Sequence, residues 1–210
     1  MRLSSITFFA VSAYAAIPEF EIREWHFHPY FFQGKPESLA EGRELYNKVI
    51  AEIKSGNFFA VVDGVQDYYE SIGMPISPDS WVGGFDEEPV GPHPMGQFQL
   101  WVPTEYFGQV WSFMTENRGS LTILLHPLTG DNKSEHSELA MWQGGKNDIY
   151  MQAFRDDATV WDVPKSQFPE LGLGYAGNYT RPEPEHHDDI EPTSSASILA
   201  FSSVLALLIL

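Results

Sequence analysis

The sequence predicts an α+β domain whose antiparallel sheet carries two helices on one face. Two segments have the apolar spacing of amphipathic helices, and four runs rich in aromatic or β-branched residues flank them. These segments alternate as βαβ followed by βαβ, which is the arrangement of a ferredoxin-like βαββαβ domain. We therefore expect a four-stranded sheet with both helices on one face and the other face open.

The two predicted helices are defined by their ends and by their apolar stripes. The first begins at Ser38, which forms a capping-box pattern with Glu41, and it ends near Gly56. The second begins at Thr104 and ends near Gly119. Apolar residues recur in both at i, i+3, i+4 and i+7, so each helix can pack on a sheet. The stripes consist of Tyr46, Val49, Ile50 and Ile53 in the first helix and of Phe107, Val110, Trp111 and Met114 in the second.

The predicted strands cover residues 21–32, 58–62, 97–102 and 121–125. Pro29 lies inside the first strand, and we expect a bulge or a strand end there because proline removes a ladder donor. Residues 64–92 are rich in glycine, proline and acidic residues and form a long insertion, which we expect to cover part of the domain. From about residue 155 onward, irregular structure is expected.

Both ends of the chain have the features of an exported protein. Residues 1–16 begin with a basic residue, continue through a short apolar core and end in small residues, which is the pattern of a secretory signal peptide. Residues 194–210 form an uncharged apolar tail after a polar, proline-rich stretch. This order is typical of a glycosylphosphatidylinositol signal, with Ser194 or Ser195 as the attachment residue. The alternative is a retained apolar tail, which is short for a transmembrane helix.

Composition limits the remaining possibilities. The absence of cysteine excludes thiolate metal sites, cysteine nucleophiles and disulfides, and the net charge of −17 argues against nucleic acid as a partner. We expect one domain over residues 17–160 and an irregular acidic stalk over 161–193. A secreted or cell-surface location is expected, with membrane contact only through the C-terminal anchor. In that compartment Asn132 and Asn178, each in an N-x-Ser/Thr triplet, would be glycosylation sites.

Five of the seven histidines fall inside the predicted domain: His26, His28, His93, His126 and His136. His26 and His28 are two residues apart on a strand and therefore project from the same face. His93 precedes the third strand, and His126 ends the fourth, so both can reach one end of the open face. Converging imidazoles and carboxylates can hold a metal. The nearby carboxylates that could add ligands or carry protons are Asp131, Glu135 and Glu138.

Three stretches of the chain have the character of one family. They are WHFHPYF at 25–31, PVGPHPMGQF at 89–98 and NRGSLTILLHPLTGD at 117–131, followed by His136 and the triplet WQG at 142–144. In this order they resemble the DOPA 4,5-dioxygenase family of fungi and bacteria, whose members have a ferredoxin-like domain. The histidines of the predicted cluster coincide with the histidines of these motifs.

The resemblance implies non-haem Fe(II), dioxygen and a small catechol substrate such as DOPA, whose ring opens next to its hydroxyls. On that basis we predict that His26, His28 and His126 hold the metal and that His93 and His136 move protons. A variant in which His93 or His136 joins His28 and His126 as the third ligand stays open. Tyr30 is predicted to contact the substrate.

Two alternatives from other functional classes also stay open. The first is a non-catalytic cell-surface module that keeps the fold and the histidines but binds zinc, copper or another ligand. The second is a structural surface protein that has no site. The metal content of the purified protein separates the three interpretations. The sequence gives no indication of the oligomeric state.

Overall fold

The computed structural model describes residues 21–74, 76, 83–154 and 164–178. The strands in this part of the chain are β1 (Glu24–Phe31), β2 (Val61–Val62), β3 (Phe85–Asp86), β4 (Gly96–Phe98), β5 (Leu100–Pro103), β6 (Thr122–Pro127) and β7 (Met141–Gln143). The α-helices are α1 (Pro36–Lys54), α2 (Gln66–Ser71), α3 (Phe107–Asn117) and α4 (Asn132–Glu135). None of the helices in these residues has the length and apolar character needed to cross a membrane.

The antiparallel sheet has β1 at its centre. β4 and β5 pair with one side of β1 and β6 with the other, while β2 pairs with β5. The order β2-β5-β1-β6 is that of a ferredoxin-like βαββαβ sheet, so the predicted fold class is confirmed. β3 beside β4 and β7 beside β6 add two strands, and the predicted strand 97–102 is divided into β4 and β5, so the sheet has seven strands. The predicted insertion over 64–92 contains the helix α2 and the strand β3.

Strand β1 does not bulge or end at Pro29, contrary to the prediction. It continues to Phe31 and pairs with β6 in one unbroken register through Pro29. On the other side, Phe27 pairs with Leu100 and Tyr30 with Gln97, so the register is also the same before and after Pro29. On this side the missing N–H coincides only with a two-residue break in the pairing, at His28 and Pro29. A local loss of pairing is therefore tolerated without a change of register.

The predicted helices form, but the capping box at the start of α1 does not. The N-cap residue is Lys35, and Pro occupies the first turn. Ser38 instead accepts a hydrogen bond from the backbone N–H of Phe32, with 2.9 Å between N and Oγ. The Glu41 carboxylate accepts from the backbone N–H and the hydroxyl of Ser120. Both side chains thus serve tertiary contacts. Gly56 follows the helix with φ +73, as predicted for a left-handed stop.

One face of the sheet packs on α1 and α3 and forms the hydrophobic core. Trp25 and Phe27 of β1 project to this face, where the Trp25 ring lies 4.8 Å from Phe107 and the Phe27 ring 6.4 Å from Trp111. Because side chains alternate along a strand, His26, His28 and Tyr30 project to the opposite face. The buried side chains of the helices that close the core are Leu45, Val49, Ile53, Val110 and Met114.

Residues 164–178 pack against the sheet, although the sequence analysis placed them in the stalk. The backbone is irregular, with two 3-10 turns, as expected for this part of the chain. Phe168 is fully buried and its ring lies 4.9 Å from the Trp101 ring. The Tyr175 hydroxyl donates to the Leu128 carbonyl at 2.6 Å. One buried aromatic side chain and several polar contacts bind this segment to the sheet. The segment has no periodic apolar pattern from which these contacts could be predicted.

Several predictions concern residues outside the described ranges. These are the signal peptide over 1–16 and the apolar tail over 194–210 with Ser194. Asn178 is the last described residue, and it is exposed, as is Asn132.

Candidate metal centre

The fold brings all five predicted histidines to one end of the open sheet face. His26 lies directly opposite His126 in the pairing of β1 with β6, and His28 is the next residue on the same face of β1. His93 comes from the loop before β4, where its backbone N–H donates to Val90 O at 3.0 Å. His136 ends α4. Four separate segments therefore supply the cluster, and the sheet register sets its geometry.

Three overlapping groups of side chains in the cluster have ligand atoms within 4.8 Å of one another and could hold a metal ion. The groups are His26, His28 and His126; His28, His93 and His136; and His126, Glu135 and His136. The shortest approach joins Nε2 of His28 to Nε2 of His126 at 3.1 Å. The structure thus confirms that a metal-binding constellation is available, and it leaves the identity of the metal open.

The tautomer of His28 follows from its neighbours. Gln97 donates from its amide nitrogen to Asp86 Oδ2 at 2.8 Å, which orients the amide so that its oxygen faces His28. That oxygen lies 3.1 Å from Nδ1 of His28, so Nδ1 carries the proton and donates. Nε2 of His28 is therefore unprotonated, and its lone pair is directed at His126.

His126 and His136 have the same tautomer for the same reason. Nδ1 of His126 donates to the Pro127 carbonyl at 3.0 Å, and Nδ1 of His136 donates to the Asn132 carbonyl at 2.8 Å. A backbone carbonyl can only accept, so both rings carry their proton on Nδ1. The Nε2 atoms of His28, His126 and His136 are left as three unprotonated nitrogens in one cluster. Two facing lone pairs at 3.1 Å repel each other unless a cation lies between them.

His93 has the opposite tautomer. Its Nδ1 lies 2.6 Å from the Tyr30 hydroxyl, and burial holds the pKa of Tyr30 well above its usual range. Tyr30 therefore keeps its proton and donates it to Nδ1, which leaves the proton of His93 on Nε2. Tyr30 itself is 2 % exposed and stacks on Trp142, with 5.8 Å between ring centroids. It lies behind His93 and is not among the residues that line the cavity described below.

All five imidazoles are neutral at physiological pH. Burial is the main cause, and for four of the rings the neighbouring imidazoles also disfavour protonation. The pKa of His26 is lowered to about 4 and that of His93 to about 3, and the pKa values of His28 and His126 lie well below the ordinary value. Neutral imidazole is the form that binds metal ions.

Of the three predicted carboxylates, Glu135 is the one that joins the cluster. It is 1 % exposed, and its Oε1 accepts from the backbone N–H groups of Thr129 and Gly130. Its Oε2 lies 3.7 Å from Nδ1 of His126 and has no hydrogen-bond partner among the described residues. Asp131 instead caps α4, and Glu138 contacts Ser137 at the surface.

A cavity of about 330 Å³ opens over the cluster, which is within the usual size range of small-molecule sites. A second space of about 340 Å³ adjoins it and shares His26, Asn132 and Gln167 with it. Besides the histidines, the first cavity is lined by Val90, Gly91, Pro92, Gln97, Gln99, Asn132, Phe154 and Gln167.

Three glutamines of this site were not predicted. Gln97 and Gln99 alternate along the strand, so the period of two in GQFQLW could have placed both on the open face. Gln167 lies in the irregular segment 164–178, and no sequence pattern points to it.

Comparisons with known proteins identify the family of the chain. The model of the Dopa 4,5-dioxygenase family matches residues 25–153. A DOPA 4,5-dioxygenase of Amanita muscaria is 32% identical over 175 residues, which cover 81% of this chain and 67% of that protein. An uncharacterized 21.2 kDa protein of Botryotinia fuckeliana is 31% identical over 126 residues, covering 56% of this chain and 55% of the relative.

A crystal structure from Nostoc punctiforme, whose assignment as a dioxygenase is itself provisional, has a TM-score of 0.44 and 26% identity, covering 63% of this chain and 90% of that one. The family match spans β1, the loop of His93, β6 and α4, and it includes all five histidines of the cluster. The resemblance seen in the three sequence motifs is thereby confirmed. The chain belongs to the Dopa 4,5-dioxygenase family.

Proposed function

We propose that this chain is an Fe(II)-dependent dioxygenase that opens the ring of a catechol, such as DOPA, next to its two hydroxyls. One observation carries the proposal. The Nε2 lone pairs of His28 and His126 face each other at 3.1 Å, and His136, which shares a group of candidate ligands with each of them, offers a third free Nε2 at the same open cavity. Three protein ligands next to an open cavity suit a catalytic metal, whereas a structural site is closed by four.

Hydrogen bonding favours His28, His126 and His136 as the ligands. Each donates its Nδ1 proton to a fixed oxygen, which is the outer-shell arrangement typical of metal-bound histidines. The prediction that His26 is a ligand stays a prediction, since His26 also lies in a group with His28 and His126. Its Nε2, however, already contacts two amide side chains. Imidazole suits iron, zinc and copper, so the donor set alone does not choose among them.

When bound, ferrous iron supplies open coordination positions and the redox chemistry that imidazoles lack. In the proposed reaction both atoms of O₂ enter the product as the carbon–carbon bond beside the diol breaks, so no further reductant is needed. The contribution of the chain is to hold the metal, to position the diol and to move protons.

His93 is placed to move one of these protons. It lines the cavity while Tyr30 holds its Nδ1 from behind, so its Nε2–H is the group that faces the substrate space. The neutral ring can donate from Nε2–H to a developing anion and exchange this proton with solvent in the cavity, while Tyr30 keeps the tautomer fixed from the other nitrogen. Tyr30 therefore acts through His93 in this proposal and not by direct contact with the substrate.

Phe154, and not Tyr30 as predicted from the sequence, is the aromatic residue placed to contact the substrate. It lines the cavity, and its ring lies 4.9 Å from the His136 ring. An aromatic ring at this position can flank a flat catechol and exclude water from the metal side of the cavity.

The test is oxygen consumption by full-length protein made without a histidine tag. Protein loaded anaerobically with Fe(II) should consume one O₂ for each DOPA and form a yellow ring-opened product, and zinc-loaded protein should do neither. His126→Ala should lose the metal and the activity together. If iron binds and no oxygen is consumed with DOPA or simple catechols, the chain is a metal- or ligand-binding module. If iron, zinc and copper all fail to bind, the site is structural.

Location is a separate part of the proposal. The signal-like residues 1–16 and the apolar tail over 194–210 support a cell-surface protein anchored through Ser194. In that compartment a glycan on Asn132 would stand at the rim of the cavity, because Asn132 is exposed and lines it.

A further inference from the structure

Residues 164–178 lie beyond the part of the chain that matches the family model, which ends at residue 153. They nevertheless return to the open face of the sheet beside the histidines. Gln167 from this segment lines both adjoining cavities together with His26. The segment thus forms part of the wall of the candidate site, and how it is held there decides what it can do.

A buried carboxylate binds the segment at the point nearest the cluster. Glu24 is fully buried, and its Oε2 accepts from Trp101 Nε1 at 2.7 Å and from the Gln167 backbone N–H at 3.0 Å. Its Oε1 accepts from the Tyr175 backbone N–H at 3.1 Å. Burial raises the pKa of Glu24, and these donors oppose the rise. Because Glu24 is two residues from His26 on the same face of β1, it fixes the segment relative to the cluster.

Gly174 lets the segment approach Glu24 closely. Its φ is +59, and a Cβ at this position would lie 2.5 Å from Cγ of Glu24. Any larger residue would have to displace the carboxylate or the segment. The close approach is therefore a built feature of the fold, and it places the Gln167 backbone and side chain within reach of β1.

The side chain of Gln167 meets His26. Its Oε1 lies 2.7 Å from Nε2 of His26, and the amide nitrogen of Gln99 lies 3.2 Å from the same ring nitrogen. The shorter contact, to an oxygen, indicates that His26 donates from Nε2. Gln99 can then present its own oxygen, since the two ends of a carboxamide are assigned from hydrogen bonding.

From this geometry we infer that Gln167 is a positioning residue of the active site, which holds His26 as an Nε2–H donor beside the histidine cluster and keeps that nitrogen from binding the metal. This rests on the proposed function for what the site does with His26. A protonated Nε2 cannot bind a metal, so coordination by His26 would have to use Nδ1. His26 is assigned to hydrogen bonding at the substrate space, and the zinc affinity of the Gln167 variants separates these two roles. The segment 164–178 then completes a site that the family-matched region alone does not close.

The first experiment measures the tautomer of His26 in metal-free protein. The full chain, labelled with ¹⁵N-histidine, is compared with Gln167→Met, which keeps the size of the side chain and removes the amide, and with Gln167→Ala. Gln152→Met in an exposed turn is the matched control. The His26 signals, assigned with His26→Gln, should show the Nε2–H form in the wild type and a shifted or mixed form in both Gln167 variants.

The second experiment measures zinc affinity and, on iron-loaded protein, KM and kcat. Gln167→Met should bind zinc as the wild type does and should raise KM about fivefold, the effect of one hydrogen bond, with kcat little changed. An unmoved His26 signal overturns the inference, and so does a loss of zinc affinity as large as that of His126→Ala. If the His26 signal moves but no form of the protein consumes oxygen, the positioning role stands and the proposed function fails.

Discussion

The amide of Gln97 offers the sharpest test of the tautomer argument. Gln97 is 1 % exposed and joins Asp86 to Nδ1 of His28, so its oxygen keeps the lone pair of His28 Nε2 directed into the cluster. Gln97→Met retains the volume of the side chain and removes both hydrogen bonds. His28 is then free to rotate or to move its proton to Nε2, and a protonated Nε2 cannot bind a metal.

The expected loss has two parts that can be measured separately. Removal of an outer-shell partner of a metal-bound histidine weakens metal binding by about 10- to 100-fold, or roughly 1.4–2.7 kcal/mol. Leaving buried polar groups without their partner also lowers the free energy of unfolding by about 1–3 kcal/mol. The first is measured by zinc titration against a chromophoric chelator, and the second by urea unfolding of the metal-free protein.

Two reference variants bracket the result. Gln152→Met makes the same chemical change at an exposed position and should alter neither quantity. His126→Ala removes a proposed ligand and sets the largest loss of affinity. If Gln97→Met unfolds more easily yet binds zinc as tightly as the wild type, the hydrogen bond does not select the ligand form of His28 and the reasoning is refuted.

Three further predictions follow from the same structure. In urea titrations, Gly174→Ala should lower the free energy of unfolding by about 1–3 kcal/mol more than Gly172→Ala does. Both glycines have positive φ, but the contact with Glu24 exists only at Gly174. Equal losses of stability in the two variants would contradict the close approach. In metal-free protein that free energy should fall as pH is lowered from 6.5 towards 4, since the folded chain excludes protons from His26, whose pKa is about 4, while the unfolded chain binds them. The slope should be at most about 1.4 kcal/mol per pH unit for each such histidine, and His26→Gln should reduce it; an unchanged slope would assign it to other groups. Phosphatidylinositol-specific phospholipase should release the protein from cells, and retention on the membrane would exclude the anchor at Ser194.

The sequence alone determined the fold class and the membership of the histidine cluster. Alternation of side chains along a strand is a local property, so His26 and His28 could be assigned to one face without any knowledge of the rest of the chain. The βαββαβ order then placed the segments of His93 and His126 on either side of that strand. These inferences depend on the periodicity of side chains and on the order of the strands and helices, and both can be predicted from the sequence.

Local signals failed where a distant group competed for the same atoms. Ser38 and Glu41 have the spacing of a capping box, yet the Phe32 backbone and Ser120 take their hydrogen bonds. Pro29 carries a strand-breaking signal, but pairing on both sides of β1 outweighs the loss of one donor. In each case tertiary contacts contributed more than the local preference, and only the fold determines which contacts are available.

Only the tertiary structure decided the chemistry of the individual rings. The tautomer of His28 depends on Gln97, which is in turn oriented by Asp86, and that of His93 depends on Tyr30, 63 residues away in sequence. The position of Gln167 depends on backbone N–H groups of its segment that donate to the buried carboxylate of Glu24. Contacts of backbone groups leave no periodic side-chain pattern in the sequence. A histidine pattern in sequence can therefore identify the members of a site, whereas their roles follow from hydrogen-bond partners that come together only in the folded chain.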